Sequence, residues 1–122
     1  MDPAVLDSWL GAYKRAWEER DPEAAVDLFT ADATYHETPF DEPLRDREGI
    51  LNYWSEVPRT QEGIEFSYEV LATTEAGGVA HWRSEFTSLP SRSAVDLDGI
   101  LLVRLDAEGK CTEFREWWHK RE

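Results

Sequence analysis

The N-terminal half of the chain shows apolar side chains at the spacing of helices. Asp2 followed by Pro3 predicts a helix start, because aspartate caps free N–H groups and proline is tolerated in the first turn. The apolar positions that follow have the period of an amphipathic helix. They are Val5, Leu6, Trp9, Leu10, Tyr13 and Trp17. We therefore predict a long first helix.

Two further helices are predicted by the same signals. Asp21 and Pro22 repeat the start signal, and a short apolar stripe follows at Ala24, Ala25, Leu28 and Phe29. A third helix is expected after Asp46 and should end at Pro58, because proline lacks the N–H that an interior helical position donates. Its apolar stripe is Ile50, Tyr53, Trp54 and Val57.

From Gly63 onward the apolar positions alternate with polar ones, which is the period of a half-buried strand. Turn-forming residues then separate strands near residues 79–89, 94–105 and 111–119. A shorter strand is predicted around Tyr35 and breaks at Pro39. Helices followed by hairpin-connected strands predict an α+β fold, in which the N-terminal helices cover one face of a curved antiparallel sheet.

Composition limits the classes of partner. The chain has 122 residues, which fits one domain over residues 1–122. Its formal net charge of -13 repels phosphate backbones and anionic lipid headgroups, so we expect no nucleic-acid and no membrane partner. Cys111 is the single cysteine, which excludes an internal disulfide. No secretion leader or membrane-length apolar run is evident, so a cytoplasmic protein is expected.

Alternation along the strands predicts which side chains face the interior. In the strand near 79–89, one face carries Trp82, Ser84 and Phe86, whereas the other carries only polar or charged side chains. In the last strand the more apolar face carries Phe114, Glu116 and Trp118. We expect these two faces to point inward, which would bring the carboxyl group of Glu116 into an aromatic interior.

Several motifs resemble the SnoaL-like branch of the nuclear transport factor 2-like superfamily. They are the Tyr-x-x-x-Pro at Tyr35 and Pro39, the Asp98-Gly99 pair, an Asp-x-x-Gly-Lys turn and the aromatic final strand. The resemblance covers nearly the whole chain and implies a cone, in which a bent antiparallel sheet wraps the helices around an internal pocket. The superfamily includes steroid isomerases, polyketide cyclases and dehydratases, so this fold alone does not define a reaction.

The resemblance also implies which residues of the short strand face the pocket. Limonene epoxide hydrolase, a member of the superfamily, has a segment similar to Tyr-His-Glu-Thr-Pro, and by that analogy Tyr35 and Glu37 face inward. Glu116 falls where that enzyme has an inward aspartate. The enzyme's Arg-x-Asp pair falls on Trp82 and Ser84, however, so epoxide hydrolysis by that triad is not expected here.

These placements define a candidate site for acid/base chemistry on a hydrophobic oxygenated metabolite, of the isomerase, cyclase, dehydratase or hydrolase type. The candidate catalytic residues are Tyr35, Glu37 and Glu116, because two carboxyl groups near an apolar wall titrate at different pH values and a phenol can stabilise an oxyanion. The candidate ligand-binding residues are Trp54, Trp82, Ser84, Phe86, Phe114 and Trp118. We expect no metal and no cofactor.

Simpler alternatives remain for the same residues. Tyr35 is equally well explained as a core residue, and Glu37 as a solvated group at the rim or a helix cap. His81, Asp96 and Asp98 are ambiguous, since the sequence leaves open whether they reach the pocket. The whole chain could also be a non-catalytic module that binds a ligand or dimerises, or a structural domain whose interior is fully packed.

The strand near 94–105 is apolar on both of its faces. Leu97, Leu101, Val103 and Leu105 alternate with Ile100 and Leu102. A strand with one solvent-exposed face would carry polar side chains on that face. We therefore predict that a second copy of the chain covers the convex face of the sheet and that Trp117 takes part in the contact.

Overall fold

The chain contains four helices and six strands, and the computed structural model describes all residues from 1 to 122. The helices are α1 (Pro3–Glu18), α2 (Pro22–Val26), α3 (Asp46–Trp54) and α4 (Val57–Thr60). The strands are β1 (Phe29–His36), β2 (Leu44–Arg45), β3 (Gln61–Thr73), β4 (Gly77–Ser88), β5 (Ala94–Leu105) and β6 (Cys111–Arg121). No helix is both long enough and apolar enough to span a membrane.

Both predicted N-terminal caps are present. The Asp2 carboxylate accepts a hydrogen bond from the Ala4 N–H at 2.9 Å, and the Asp21 carboxylate accepts one from the Ala24 N–H at 3.1 Å. The prediction that Phe29 belongs to α2 was wrong. Phe29 starts β1 because it pairs with Cys111 of β6, which supplies backbone partners that the short helix could not.

The third predicted helix is divided into two. The side chain of Asp46 accepts a hydrogen bond from the Gly49 N–H at 3.0 Å, and α3 ends at Trp54 rather than at Pro58. Pro58 lies in the first turn of α4, where a backbone N–H group would have no acceptor within the helix, so proline is tolerated there. The proline therefore starts a short helix instead of ending a longer one.

The strands form one curved, unclosed sheet in the order β2-β1-β6-β5-β4-β3. Neighbouring strands are antiparallel except β1 and β6, which run parallel. The pairing of β3 with β4 shifts between Glu62 and Glu65, where Gly63 has a φ of 63°, and again between Val70 and Ala72. Such bulges bend a strand, so they let the sheet wrap around α1.

The predicted inward faces of β4 and β6 are confirmed. Trp82 and Ser84 are buried, and so are Phe114 and Glu116. On the opposite face of β6, Trp117 is 44% exposed. The core lies between the concave face of the sheet and the helices, and its centre is a cluster of aromatic rings contributed by α1, α3 and the strands.

Candidate functional site

The interior of the fold contains a cavity of 280 Å³ that opens to solvent. Its wall is formed by α1, α3, α4, the end of β1 and the inward faces of β4, β5 and β6. Most of the side chains in this wall are apolar, and eight are aromatic: Tyr13, Trp17, Tyr35, Tyr53, Trp54, Trp82, Phe86 and Trp118. A ligand here would be surrounded mainly by ring carbon.

Glu116 is the buried carboxyl group in this wall. It projects from the concave face of β6 and is 6% exposed. No protein group donates a hydrogen bond to it. Burial raises its pKa well above the usual range, and the negative charge of Glu37 raises it further. Glu116 therefore holds its proton more tightly than an ordinary glutamate does.

Glu37 reaches the same cavity from the end of β1. The parallel register pairs Tyr35 with Phe114 and His36 with Arg115, so one further step sets Glu37 beside Glu116. The Trp118 indole N–H donates a hydrogen bond to the backbone oxygen of Glu37 at 3.0 Å, which fixes the chain there. Glu37 is only half-buried, and its pKa is raised by burial first and by the charge of Asp41 second.

Three phenols stand next to the two carboxyl groups. The hydroxyl groups of Tyr13 and Tyr35 are 3.1 Å apart and share a hydrogen bond. Burial, followed by the charge of Glu116, raises the pKa of Tyr13, of Tyr35 and of Tyr53 well above the usual range. All three therefore remain protonated donors. A substrate oxygen that becomes negatively charged could accept a hydrogen bond from such a group.

The structure places most of the predicted site residues on the cavity wall. Tyr35, Glu37 and Glu116 line it, together with Trp54, Trp82, Phe86 and Trp118. Tyr13 and Tyr53 were missed by the sequence analysis. Their helical spacing marks them only as core positions, and no local signal shows that Tyr13 meets a hydroxyl group from a strand far along the chain.

Two predicted ligand-binding residues, Ser84 and Phe114, do not line the cavity. The Phe114 ring stacks on the Tyr35 ring with a centroid distance of 4.4 Å, so it helps to fix the position of the phenol without lining the cavity itself. Ser84 lies between Trp82 and Phe86 on β4 and is fully buried. Its short side chain cannot reach past the two large rings, and its hydroxyl group has no hydrogen-bond partner.

The ambiguous polar residues lie away from the cavity. His81 and Asp98 are on the convex face, where the His81 Nε2 atom is 2.8 Å from a carboxylate oxygen of Asp98. Asp96 pairs with Arg121, with an N–O distance of 2.6 Å. No group of three or more His, Cys, Asp or Glu side chains converges in a way that could hold a metal ion.

Several solved structures share this fold. SalBIII, described as an epoxide hydrolase/cyclase-like enzyme in pyran ring formation of the polyether salinomycin, has a TM-score of 0.84 and 20% identity, over 97% of this chain and 93% of its own. A ketosteroid isomerase-like protein from Erwinia carotovora atroseptica has a TM-score of 0.73 and 17% identity, over 95% and 96%. A conserved protein from Planctomyces limnophilus has a TM-score of 0.83 and 15% identity, over 98% of both chains.

These likenesses establish the fold, in which a curved, mainly antiparallel sheet wraps around the N-terminal helices. A search of curated proteins finds no significant match. Residues 10–114 match the SnoaL-like domain family, which is most of the chain. The chain therefore belongs to the SnoaL-like domain family.

Proposed function

We propose that the chain is a cofactor-independent enzyme that performs acid/base chemistry on a small, hydrophobic, oxygenated molecule. The observation that supports this most is the pair formed by Glu116, buried in an aromatic cavity, and Glu37 at its edge. Two carboxyl groups in different surroundings can hold different protonation states at one pH, which a proton donor and a proton acceptor require.

The different burial of the two carboxyl groups gives each a role. Glu116 is the more deeply buried and serves as the proton donor. Glu37 is partly solvated and serves as the base. The Tyr35 hydroxyl group, which is hydrogen-bonded to that of Tyr13, donates a hydrogen bond to a substrate oxygen that gains negative charge. One proton is removed and another is delivered, as isomerisation, cyclisation, dehydration and hydrolysis all require.

Two solved structures with this fold are described in terms of the same kinds of chemistry. SalBIII is described as epoxide hydrolase/cyclase-like, and the Erwinia protein as ketosteroid isomerase-like. On β4, Trp82 and Ser84 occupy the inward positions and Arg83 points outward, so an arginine on that strand has no part in the proposed reaction. Any ring formation or ring opening would rely on the two glutamates.

The proposal is tested with the purified chain and a panel of steroid enones, terpenoid epoxides and polyketide-like ketones, screened first by thermal shift and then for turnover. For a substrate that is turned over, Glu116→Gln and Glu37→Gln should each reduce kcat by about 10²-fold or more. Glu65→Gln, which removes an exposed charge on β3, should leave kcat unchanged. Unchanged turnover in both site variants would contradict the proposal.

A non-catalytic binding module is the second candidate. It is favoured by the partial exposure of Glu37, which leaves that residue in contact with solvent at the mouth. In this case a ligand would stabilise the chain against heat but would itself remain chemically unchanged. Product analysis after prolonged incubation separates the two functions, because only an enzyme converts its ligand.

We further propose that residues 1–122 act as one domain and form a homodimer through the convex face of the sheet, without nucleic-acid or membrane partners. The net charge of -13 supports the exclusion of anionic partners, and the apolar outer positions of β5 support a second copy. A cytoplasmic location belongs to the same proposal.

A further inference from the structure

A ligand in the cavity meets carboxylates and aromatic rings, but almost no basic group. Glu37, Glu56 and Glu116 contribute to the wall, whereas Lys120 is its single basic residue. The Lys120 ammonium group already pairs with Glu122 at 3.1 Å. Because the whole chain also carries a net charge of -13, the electrostatic potential in the cavity favours positively charged groups over negatively charged ones.

Glu116 needs a partner that the protein does not provide. It is 6% exposed, faces the cavity and receives no hydrogen bond from another residue. A buried polar group without a partner is costly in free energy, and a buried charge is more so. Since Glu116 faces the cavity, a bound molecule can supply this partner, and a group that donates N–H bonds while carrying positive charge matches a carboxylate best.

The indole rings around the cavity present carbon rather than their N–H groups. Trp54 stands perpendicular to Trp17, at 85° and 5.6 Å between centroids, and to Tyr13, at 89° and 5.4 Å. We call these three rings the aromatic corner. The indole N–H groups of Trp54 and Trp82 are buried and have no acceptor, so the parts of these indoles that reach the cavity are ring carbon. Aromatic faces attract cations.

We propose that the cavity binds a small hydrophobic amine, whose ammonium group lies between the Glu116 carboxylate and the aromatic corner. This rests on the proposed function for its site and adds molecules that carry a basic nitrogen to the neutral molecules proposed there. The protons balance in either form of the amine. A neutral amine takes the proton of Glu116, so that an O–H bond breaks and an N–H bond forms, whereas on binding of an ammonium ion, the main form near neutral pH, Glu116 releases that proton to solvent. An ion pair remains in both cases. The 280 Å³ volume lies near the lower end of the range for ligand pockets, about 300 Å³, so the amine is small.

The test compares three probes of nearly equal size that differ in charge: 2-phenylethylamine, 2-phenylethanol and phenylacetate. Their dissociation constants are measured by calorimetry on the full chain near neutral pH. The amine should bind about tenfold more tightly than the alcohol, because it gains a charged contact and a cation–π contact, and phenylacetate should bind most weakly.

Two variants test the residues that carry the inference. Glu116→Gln keeps the shape of the side chain but removes its charge, so it should abolish the preference for the amine without weakening the alcohol. Trp54→Leu removes one face of the aromatic corner and should reduce that preference, which gives a second readout if Glu116→Gln fails to fold. Glu65→Gln is the matched control and should retain the preference.

The inference is overturned if the amine binds no more tightly than the alcohol, if phenylacetate binds most tightly, if none of the three binds, or if the preference survives in Glu116→Gln. These results would leave the proposed acid/base function standing, because that function is judged by the turnover of neutral substrates. Conversely, a strong amine preference in a chain that turns over nothing would support the inference and contradict the catalytic proposal.

Discussion

Glu116 binds its proton more tightly in the folded chain than in the unfolded chain. Burial among aromatic side chains is the main cause of its raised pKa, and the charge of Glu37 is the second. Between the ordinary value of 4.5 and the raised folded value, the folded state holds a proton that the unfolded state has released. This stabilising contribution is complete below the unfolded pKa and is lost as the pH rises through the folded pKa.

Glu116→Gln should therefore change how stability depends on pH. An amide does not titrate, so the free energy of unfolding of the natural chain should fall relative to the variant as pH rises above 4.5. The slope can reach about 1.4 kcal/mol per pH unit for a single proton. Urea unfolding of both chains across the mildly acid to mildly alkaline range measures it. Glu65→Gln should follow the natural chain, and parallel curves for Glu116→Gln would argue that the carboxyl group is not buried.

At the residue scale, strand alternation was enough to predict the inward face of β6 and hence Glu116. The positions of Tyr35 and Glu37 came from the resemblance, because β1 ends at His36 and strand alternation does not extend to Glu37. Ser84 shows the limit of alternation, which predicts the direction of a side chain but not whether larger neighbours cover it. Tyr13 shows another limit, since a hydrogen bond between distant residues has no local signature.

At the element scale, the sequence predicted the long strands and the helix caps well, because alternation and aspartate-proline starts are local signals. The parallel pairing of β1 with β6 was not predicted. Hairpin signals describe only neighbours in sequence, whereas β1 and β6 lie far apart along the chain. The pairing matters for the site, because it is what brings Glu37 next to Glu116.

Gly99 of β5 occupies a place where the sheet leaves room for no side chain. It lies on the concave side between Trp82 of β4 and Trp118 of β6. A Cβ atom added there would collide with the backbone oxygen of Trp117 and approach the Trp118 Cβ atom to 3.0 Å. Because backbone atoms cannot move aside as a flexible side chain can, β6 would have to shift, and Trp118 lines the cavity.

Gly99→Ala should destabilise the chain by about 1 to 3 kcal/mol, the usual range for overpacking in a core. Thermal or urea unfolding measures the loss. Gly49→Ala is the matched control, because a Cβ atom at Gly49 would have no contact closer than 3.8 Å and alanine is favoured in a helix such as α3. If Gly99→Ala were as stable as the natural chain, β5 and β6 would have to be packed less tightly at Gly99 than the structure shows.

At the scale of the whole molecule, the convex face of the sheet carries apolar side chains from four neighbouring strands. We call this set the outer patch: Leu71, Val79, Ile100, Leu102 and Trp117. Trp117 lies directly opposite Ile100 in the β5–β6 register and is 44% exposed, and Leu71 is 53% exposed. The helices occupy the concave side, so nothing within the chain covers the patch. Large exposed apolar patches mark contact surfaces between proteins.

The outer patch leads to a prediction about assembly. If two copies meet through this face, light scattering at micromolar concentration should give twice the mass of the chain, and Trp117→Glu should shift the molecule to the monomer by placing a charge in an apolar contact. Val5→Glu changes another exposed apolar residue, on α1, and should leave the mass unchanged. A monomeric natural chain would contradict the prediction. Trp117 and Trp118 are neighbours on opposite faces of β6. The affinity of the Trp117→Glu variant for the same three probes therefore also shows whether dimer formation affects binding in the cavity.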